Sequence, residues 1–176
     1  QNIKVGVTNR VIARIANLVI AVTGAQGFAR QTRVIELPNP VRQEFYQIPE
    51  TRISNSAINV LVVGGSQGAR AINEAFISLA PKLKELAINL VHQTGQNDFA
   101  RTRDAYQQLN WQGAKAISFI DDMVAEYARA DLVVCRAGAI TVAEVSASRR
   151  PAIFIPLPIA SGHQKDNLKY LLENKA

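Results

Sequence analysis

From residue 58 onward, short runs of apolar, β-branched residues alternate with longer segments of helical period. The runs predict strands over 58–63, 88–92, 116–119, 132–135 and 152–155. The segments between and after them predict helices near 69–79, 99–109, 122–129, 140–147 and 164–173. The strand runs are almost wholly apolar, the pattern expected when helices cover both faces of a sheet. Strands alternating with helices through short connections imply an α/β fold, a doubly wound parallel sheet with right-handed crossovers.

The first stretch breaks this rhythm. Residues 7–22 read as one helix, with Arg10 and Arg14 one turn apart and Ile12, Ile15, Ala16 and Val19 on other faces. Gly24 and Gly27 end it, a short strand follows over 34–37, and Pro38-Asn39-Pro40 interrupts the chain. Residues 48–59, with Pro49 and two serines, read as a loop leading into the regular region. A domain boundary is therefore expected near 38–42, dividing residues 1–40 from 41–176. No repeat or low-complexity tract is evident.

A chain of 176 residues suffices for one α/β domain and a piece of another, and is short for a complete two-domain enzyme. It starts at Gln1 without an initiator Met and stops at Ala176 inside a helical stretch, so an excerpt from a longer protein is expected. Apolar residues at 48% and charged residues at 19% exclude a disordered chain. The single cysteine, Cys135, cannot form an internal disulfide, which fits a reducing cytoplasm. No apolar run approaches the roughly 20 residues needed to span a bilayer. A net charge of +6 and a pI near 9.8 favour an anionic partner: nucleic acid, nucleotide phosphates or acidic lipid. Many soluble proteins are basic without such a partner, so charge alone does not choose.

The turn Gly64-Gly65-Ser66-Gln67-Gly68-Ala69 follows the first strand of the regular region and opens a helix. Glycines permit a tight turn and close backbone approach, and free N–H groups with the helix dipole behind them favour an anion. A plain tight strand-to-helix turn would look the same. The chain has no Gly-x-x-x-x-Gly-Lys-Ser/Thr, which sets aside a P-loop triphosphatase. The next strand ends His92-Gln93-Thr94 without the acid that would hold an NAD ribose. A second turn, Arg136-Ala137-Gly138-Ala139-Ile140-Thr141-Val142-Ala143-Glu144, follows the strand over 132–135. Thr141 can cap the helix or contact a phosphate, and Glu144, one turn on, can accept from ribose hydroxyls or stand solvated. Two such turns at strand carboxyl ends lie where ligands of open α/β sheets bind.

Other chemical candidates are weaker. Asp121-Asp122 lack a nearby third ligand and suit helix capping better than a metal. His92 and His163 have no triad or metal-ligand spacing, and Cys135 within an apolar strand is expected to be a buried structural thiol. Trp111 and the four tyrosines form no stacking platform of the single-strand nucleic-acid kind.

Taken in order, Asn39-Pro40-Val41-Arg42, Gly64-Gly65-Ser66-Gln67-Gly68-Ala69, Phe119-Ile120-Asp121-Asp122-Met123, Gly138 through Glu144 and His163-Gln164-Lys165-Asp166-Asn167 form a distinctive set. With Gln1-Asn2 as the end of a His-Glu-Gln-Asn segment, the whole chain resembles one glycosyltransferase family. That family is the UDP-N-acetylglucosamine–N-acetylmuramyl-(pentapeptide) pyrophosphoryl-undecaprenol N-acetylglucosamine transferases. The resemblance implies a two-domain GT-B enzyme with its active site between the domains. Residues 1–40 would be the tail of the N-terminal, acceptor-side domain. Residues 41–176 would be most of the C-terminal, Rossmann-like, UDP-sugar-binding domain, truncated at its C-terminus.

The roles implied are specific. Ser66 and the backbone of Gly64, Gly65 and Gly68 would meet the diphosphate, and Arg42 would help hold the nucleotide sugar. Ile120 would hold uracil through its backbone. Ala139, Ile140 and Thr141 would line the phosphates, Val142 and Ala143 would belong to the same substrate-binding segment, Glu144 would grip the ribose, Gln164 would bond the sugar, and Asn2 would face the cleft. The reaction implied is inverting transfer of N-acetylglucosamine to the undecaprenyl-linked muramyl-pentapeptide, at the cytoplasmic face of the inner membrane. Its expected partners are UDP-N-acetylglucosamine, that acceptor and an anionic membrane surface, with no cofactor, metal or nucleic acid. No residue is assigned as base, since the family's histidine-bearing N-terminal loop is not in this sequence, and the chain alone is expected to be inactive. Pro38, where the family carries Gly, and Arg149-Arg150, where a glycine-containing helix end is common, depart from the pattern. The Arg149-Arg150 turn should cost about 1 kcal/mol relative to Gly. A non-catalytic basic nucleotide- or RNA-binding module is the alternative, and a UDP-sugar epimerase is disfavoured by the Asn-Pro-Val-Arg and glycine-turn pair.

Overall fold

The computed structural model describes residues 5–50, 57–65, 67–157 and 163–173. The chain divides into two compact units, one of Gln1–Val41, Ala137–Glu144 and Pro156–Ala176, the other of Arg42–Arg136 and Val145–Ile155. Helix α1 (Val7–Ala13), strands β1 (Val19–Val22) and β2 (Val34–Leu37) and a 3-10 turn at Gln43–Gln47 come first. Then follow β3 (Ile58–Val63), α2 (Arg70–Lys84), β4 (Ile88–Gln93), α3 (Phe99–Gln108) and β5 (Ala114–Ile117). The chain continues through α4 (Met123–Arg129), β6 (Leu132–Cys135), α5 (Ala139–Ser148) and β7 (Ala152–Phe154), and ends in α6 (His163–Asp166) and α7 (Lys169–Glu173).

In the first unit, β1 and β2 form a parallel pair, from Val19 opposite Val34 to Val22 opposite Leu37. This corrects the single helix expected over 7–22, which stops at Ala13. Three of the four β1 residues are Val or Ile, whose branched Cβ favours the pleated ladder once a partner strand is present. The single helix expected over 164–173 is likewise interrupted at Asn167 and Leu168. Asn167 is buried there, and its side-chain amide donates to the Ala137 carbonyl at 3.0 Å.

The second unit holds a five-stranded sheet in the order β5-β4-β3-β6-β7, with every pair parallel. The chain winds outward from β3 to β4 to β5, then returns to lay β6 against the other side of β3. The order therefore reverses between β3 and β6, whose last residues, Val63 and Cys135, face each other in register. The expected sheet and its strand-helix alternation are present. Several boundaries moved by one or more residues. Strand β5 begins at Ala114, two residues earlier than expected, because its register is set by Leu90–Gln93 of β4. Helix α2 runs on through Pro81 to Lys84, since Ala80 is buried and Leu83 packs on the core beyond it. Strand β7 stops at Phe154.

The core on one side of the sheet follows from helical spacing. Ile72, Phe76, Ala80 and Leu83 of α2 recur every three or four residues and meet Val60, Val62, Leu90 and Val134. Tyr106 and Trp111 close it edge to face, their centroids 5.6 Å apart. Cys135 is fully buried and forms no disulfide. Among the described residues, two that are not glycine take left-handed backbone after helices, Asn110 at φ 50° behind α3 and Arg149 at φ 55° behind α5. Arg149, where Gly would be less strained, donates to the Ile48 carbonyl at 3.0 Å. Its neighbour Arg150 is buried and donates to the Tyr127 and Ala128 carbonyls at 2.8 and 3.0 Å, satisfying the last turn of α4.

Inside the core lies a closed polar network. The Asn73 amide nitrogen donates to the Thr94 carbonyl at 2.9 Å and to Asp98 Oδ2 at 2.8 Å, which leaves its oxygen as an acceptor. His92 Nε2 lies 3.0 Å from that oxygen, so this nitrogen carries the proton and donates. His92 Nδ1, 2.8 Å from the Tyr106 hydroxyl, then accepts from it. Protonation at Nδ1 would turn this acceptor into a donor and force the Tyr106 hydroxyl proton to rotate away. Burial pushes the imidazole down to about 4, only partly offset by the nearby Asp98 carboxylate. Burial also pushes the Tyr106 phenol well above its ordinary range, keeping its donor proton.

This fixes the sign of a pH effect. Above pH 6.5, the ordinary histidine value, the ring is neutral in folded and unfolded chains alike and contributes no slope. As pH falls from there toward 4, the unfolded chain binds a proton that the folded one refuses, and stability drops by up to about 3 kcal/mol. Urea denaturation of wild type and His92→Asn at pH 7 and pH 4.5 should show the larger acid loss in wild type. Equal losses would mean that His92 is not the group responsible.

Candidate functional site

The carboxyl edge of the sheet is where the chemistry-bearing segments leave it. Strand β3 ends at Val63 and enters the first glycine turn, whose shape is dictated by the neighbouring β4 end. The Gly64 N–H donates to the Gln93 carbonyl at 3.1 Å, and the Gly65 N–H donates to Gln93 Oε1 at 3.3 Å. The Gly68 N–H donates back to the Gly65 carbonyl at 3.0 Å. Gly65 and Gly68 both take left-handed backbone, at φ 81° and 78°. A Cβ on Gly64 would lie 2.8 Å from the Gln93 carbonyl oxygen, and one on Gly68 would run into the Thr94 carbonyl. Gly95, at φ 75°, would in turn place a Cβ 2.6 Å from Gly68 Cα. Two glycine turns, one after β3 and one after β4, thus fit flat against each other.

One expectation is corrected by this geometry. The N–H groups of Gly64, Gly65 and Gly68 are not free donors: the end of the parallel neighbour strand engages the first two, and the Gly65 carbonyl within the turn takes the third. The positive element left at this turn is the N-terminus of α2, which has no side-chain cap and no acidic residue in its first turn. Ser66 and Asn2 lie outside the described residues.

Two further expected residues belong to the same unit. Ile120 is buried just before Asp122, whose carboxylate accepts the Ala125 N–H at 3.0 Å and caps α4. The Asp121-Asp122 pair therefore does contain a helix cap, and among the described residues no three His, Cys, Asp or Glu side chains gather as a metal site would require. The Arg42 guanidinium lies 5.4 Å over the Phe45 ring. Phe45 is itself fully buried, edge-on to Tyr127 at 5.2 Å, so Arg42 is held from below.

The other unit brings three motifs together around the second glycine turn. Ala139 begins α5, and its carbonyl accepts from the Asn39 side chain at 3.5 Å. The Ala137 carbonyl accepts from Asn167 at 3.0 Å. Asn-Pro-Val-Arg and His-Gln-Lys-Asp-Asn, roughly a hundred residues or more apart in sequence, therefore both hold this turn. Within α5, Val142 is buried with its N–H on the Gly138 carbonyl at 2.9 Å. Ile140, Thr141, Ala143 and Glu144 are half-buried, with Thr141 and Glu144 three residues apart on one helix face. Gln164 Oε1 accepts the Leu157 N–H at 2.8 Å, so its carbonyl oxygen serves the local fold. Sequence reasoning missed the partners Gln93, Gly95, Asn39 and Asn167 of the two turns. A Gly directly after a strand end, as in Thr94-Gly95, was the available sign for one of them.

A parallel sheet whose order reverses between two strands that each lead into a glycine turn defines a doubly wound, Rossmann-like α/β domain. Residues 59–176 match the glycosyltransferase family 28 C-terminal domain, and the chain belongs to that family. It is 41% identical over 189 residues to the UDP-N-acetylglucosamine–N-acetylmuramyl-(pentapeptide) pyrophosphoryl-undecaprenol N-acetylglucosamine transferase of Francisella tularensis subsp. tularensis strain FSC 198. That alignment covers 100% of this chain and 51% of the relative. The protein of the same name from Citrifermentans bemidjiense is 40% identical over 182 residues, with 100% and 51% covered. The crystal structure of Acinetobacter baumannii MurG superposes with a TM-score of 0.70 at 35% identity, covering 98% of this chain and 49% of that one. The chain spans about half the length of the curated relatives it matches. Family membership does not favour the RNA-binding alternative.

The two left-handed glycines of the first turn should respond differently to a methyl group. Gly65→Ala puts Cβ in open space and should cost only the left-handed strain, about 1–2 kcal/mol. Gly68→Ala adds a clash with the Thr94 backbone and should cost at least about 2 kcal/mol more. Chemical denaturation of both variants checks this, and similar losses would count against the interlocked turns.

Proposed function

We propose that this chain is the nucleotide-sugar-binding part of an inverting N-acetylglucosaminyltransferase. The reaction is transfer from UDP-N-acetylglucosamine to the undecaprenyl-linked muramyl-pentapeptide, the one for which its relatives are named. The observation carrying this reading is the pairing of Val63 with Cys135, which makes both glycine turns leave the sheet from adjacent strand ends at the order reversal. Identity of 41% along the full chain supports the particular donor and acceptor.

In this reading the α2 and α5 N-termini stabilise the charge that develops on departing UDP, by dipoles fixed before the reaction begins. Neither helix has an acid in its first turn to oppose that role. Ile120 offers its backbone to uracil, Arg42 supports the nucleotide, and Ala139, Ile140 and Thr141 with Ser66 line the diphosphate. Glu144 accepts from the ribose hydroxyls, Gln164 bonds the sugar through its amide N–H groups, and Asn2 contributes from the acceptor side. The attacking hydroxyl's proton goes to a base outside this set. Among the described residues no helix is long and apolar enough to cross a membrane. The site of action is the cytoplasmic face of the inner membrane, held peripherally. A net charge of +6 and the exposed Val7, Val11 and Ile15 on and just after α1 support contact with anionic lipid.

Calorimetric titration in chelator should show UDP-N-acetylglucosamine binding without divalent metal, and tighter than UDP-glucose or ADP. Binding that appears only with Mg²⁺ or Mn²⁺ would refute the helix-terminus account, and equal affinity for ADP would refute uracil recognition. Glu144→Ala should weaken UDP about tenfold or more, from loss of charge-assisted hydrogen bonds contributing roughly 1.5–3 kcal/mol each. Wild type should also bind 2′-deoxy-UDP more weakly than UDP, and Glu144→Ala should barely distinguish them. Equal affinities in wild type would remove Glu144 from the ribose.

A further inference from the structure

The proposal that follows rests on the donor-site reading above and assigns a role to a residue outside it. Gln93 is the last residue of β4 and is 2% exposed. Its backbone carbonyl takes the Gly64 N–H, and its side-chain carbonyl takes the Gly65 N–H. Its chain neighbours are immobilised on both sides. His92 is locked between Asn73 and Tyr106, and the Thr94 carbonyl accepts from Asn73 while its hydroxyl donates to the Ile117 carbonyl at 3.2 Å. Gln93 is therefore delivered to the turn from a rigid base.

The three glycines of the turn depend on that base in different ways. Gly64 and Gly68 are confined by packing, each with a backbone carbonyl where a Cβ would stand. Gly65 has nothing within 4 Å on its Cβ side, although it holds a left-handed φ of 81°. What fixes it among the described contacts is hydrogen bonding, its carbonyl to the Gly68 N–H and its own N–H to Gln93 Oε1. The open side of Gly65 is the side a ligand could approach. We propose that Gln93 is a positioning residue for the diphosphate: by engaging the Gly65 N–H from behind, it holds Gly65, with its open Cβ side, in the shape that admits a phosphate at α2. Gln93 does not touch the ligand. It acts through Gly65, and its loss leaves the packed glycines and the sheet in place.

The test uses the full chain with Gln93→Met, unbranched and of similar length but without the acceptor. Gln93→Asn, one methylene shorter and still polar, covers the case in which Met does not fold. Amide hydrogen exchange followed by NMR in the ligand-free protein should show Gly65 exchanging at least tenfold faster in the variants, with Gly64 and Gly68 little changed. Titrations should show UDP weakened about tenfold and uridine, which has no phosphate, changed less than twofold. Unchanged Gly65 exchange, unchanged UDP affinity or an equal loss for UDP and uridine would each overturn the proposal, the last pointing to a general structural role. Absence of UDP binding by wild type would instead bring down the donor-site reading itself, and this role with it.

Discussion

The pairing of β3 with β6 is the constraint on which the rest of the second unit depends. Strand β3 is the first in sequence and the middle one in space, hydrogen-bonded on one side to β4 and on the other to β6. Returning across the sheet to reach β3 a second time is what produces the reversal of strand order. With Val63 and Cys135 in register, the two strands end at one level, and each passes directly into a glycine-containing turn. Had the β6 register slipped by one residue, its side chains would have exchanged faces of the sheet and the ends would no longer align.

A second dependency runs from β4 toward the first turn. The flat contact between Gly68 and Gly95 requires both backbones to be bare, and that contact brings Gln93 under the Gly65 N–H. Behind it, the His92–Asn73–Tyr106 network gives the β4 end a polar anchor inside an apolar core. Every atom of the Asn73 side-chain amide has a partner, and the neutral ring of His92 completes the chain of donors and acceptors. Buried polar groups destabilise a core when left unpaired, and specify one arrangement when fully paired. Here that arrangement is the one in which the turn is supported. The second turn is supported by a comparable device in the other unit, where Asn39 and Asn167 bond the carbonyls of Ala139 and Ala137.

Much of the second unit was determined by local sequence. The β3 and β6 bounds follow from short, almost wholly apolar runs, because a strand buried on both faces needs no other pattern. The capping of α4 by Asp122 follows from a carboxylate just before an apolar helix, and the left-handed end of α5 at Arg149 from a helix with no glycine to stop it. The family was readable for a different reason: its motifs are turn and helix-end residues whose order survives in the chain. What sequence alone could not decide were features set by a partner strand or a distant segment. Residues 19–22 fit the helical period read over 7–22 and become β1 only because residues 34–37 lie alongside. Strand β5 starts at Ala114 because β4 sets its register, and Asn167 interrupts a helical stretch because Ala137 needs its amide. The bonds that occupy the glycine N–H groups belong to the same class. Periodicity reports the faces of a single element, whereas a hydrogen bond from Gly65 to Gln93 exists only after two parallel strands have been laid side by side.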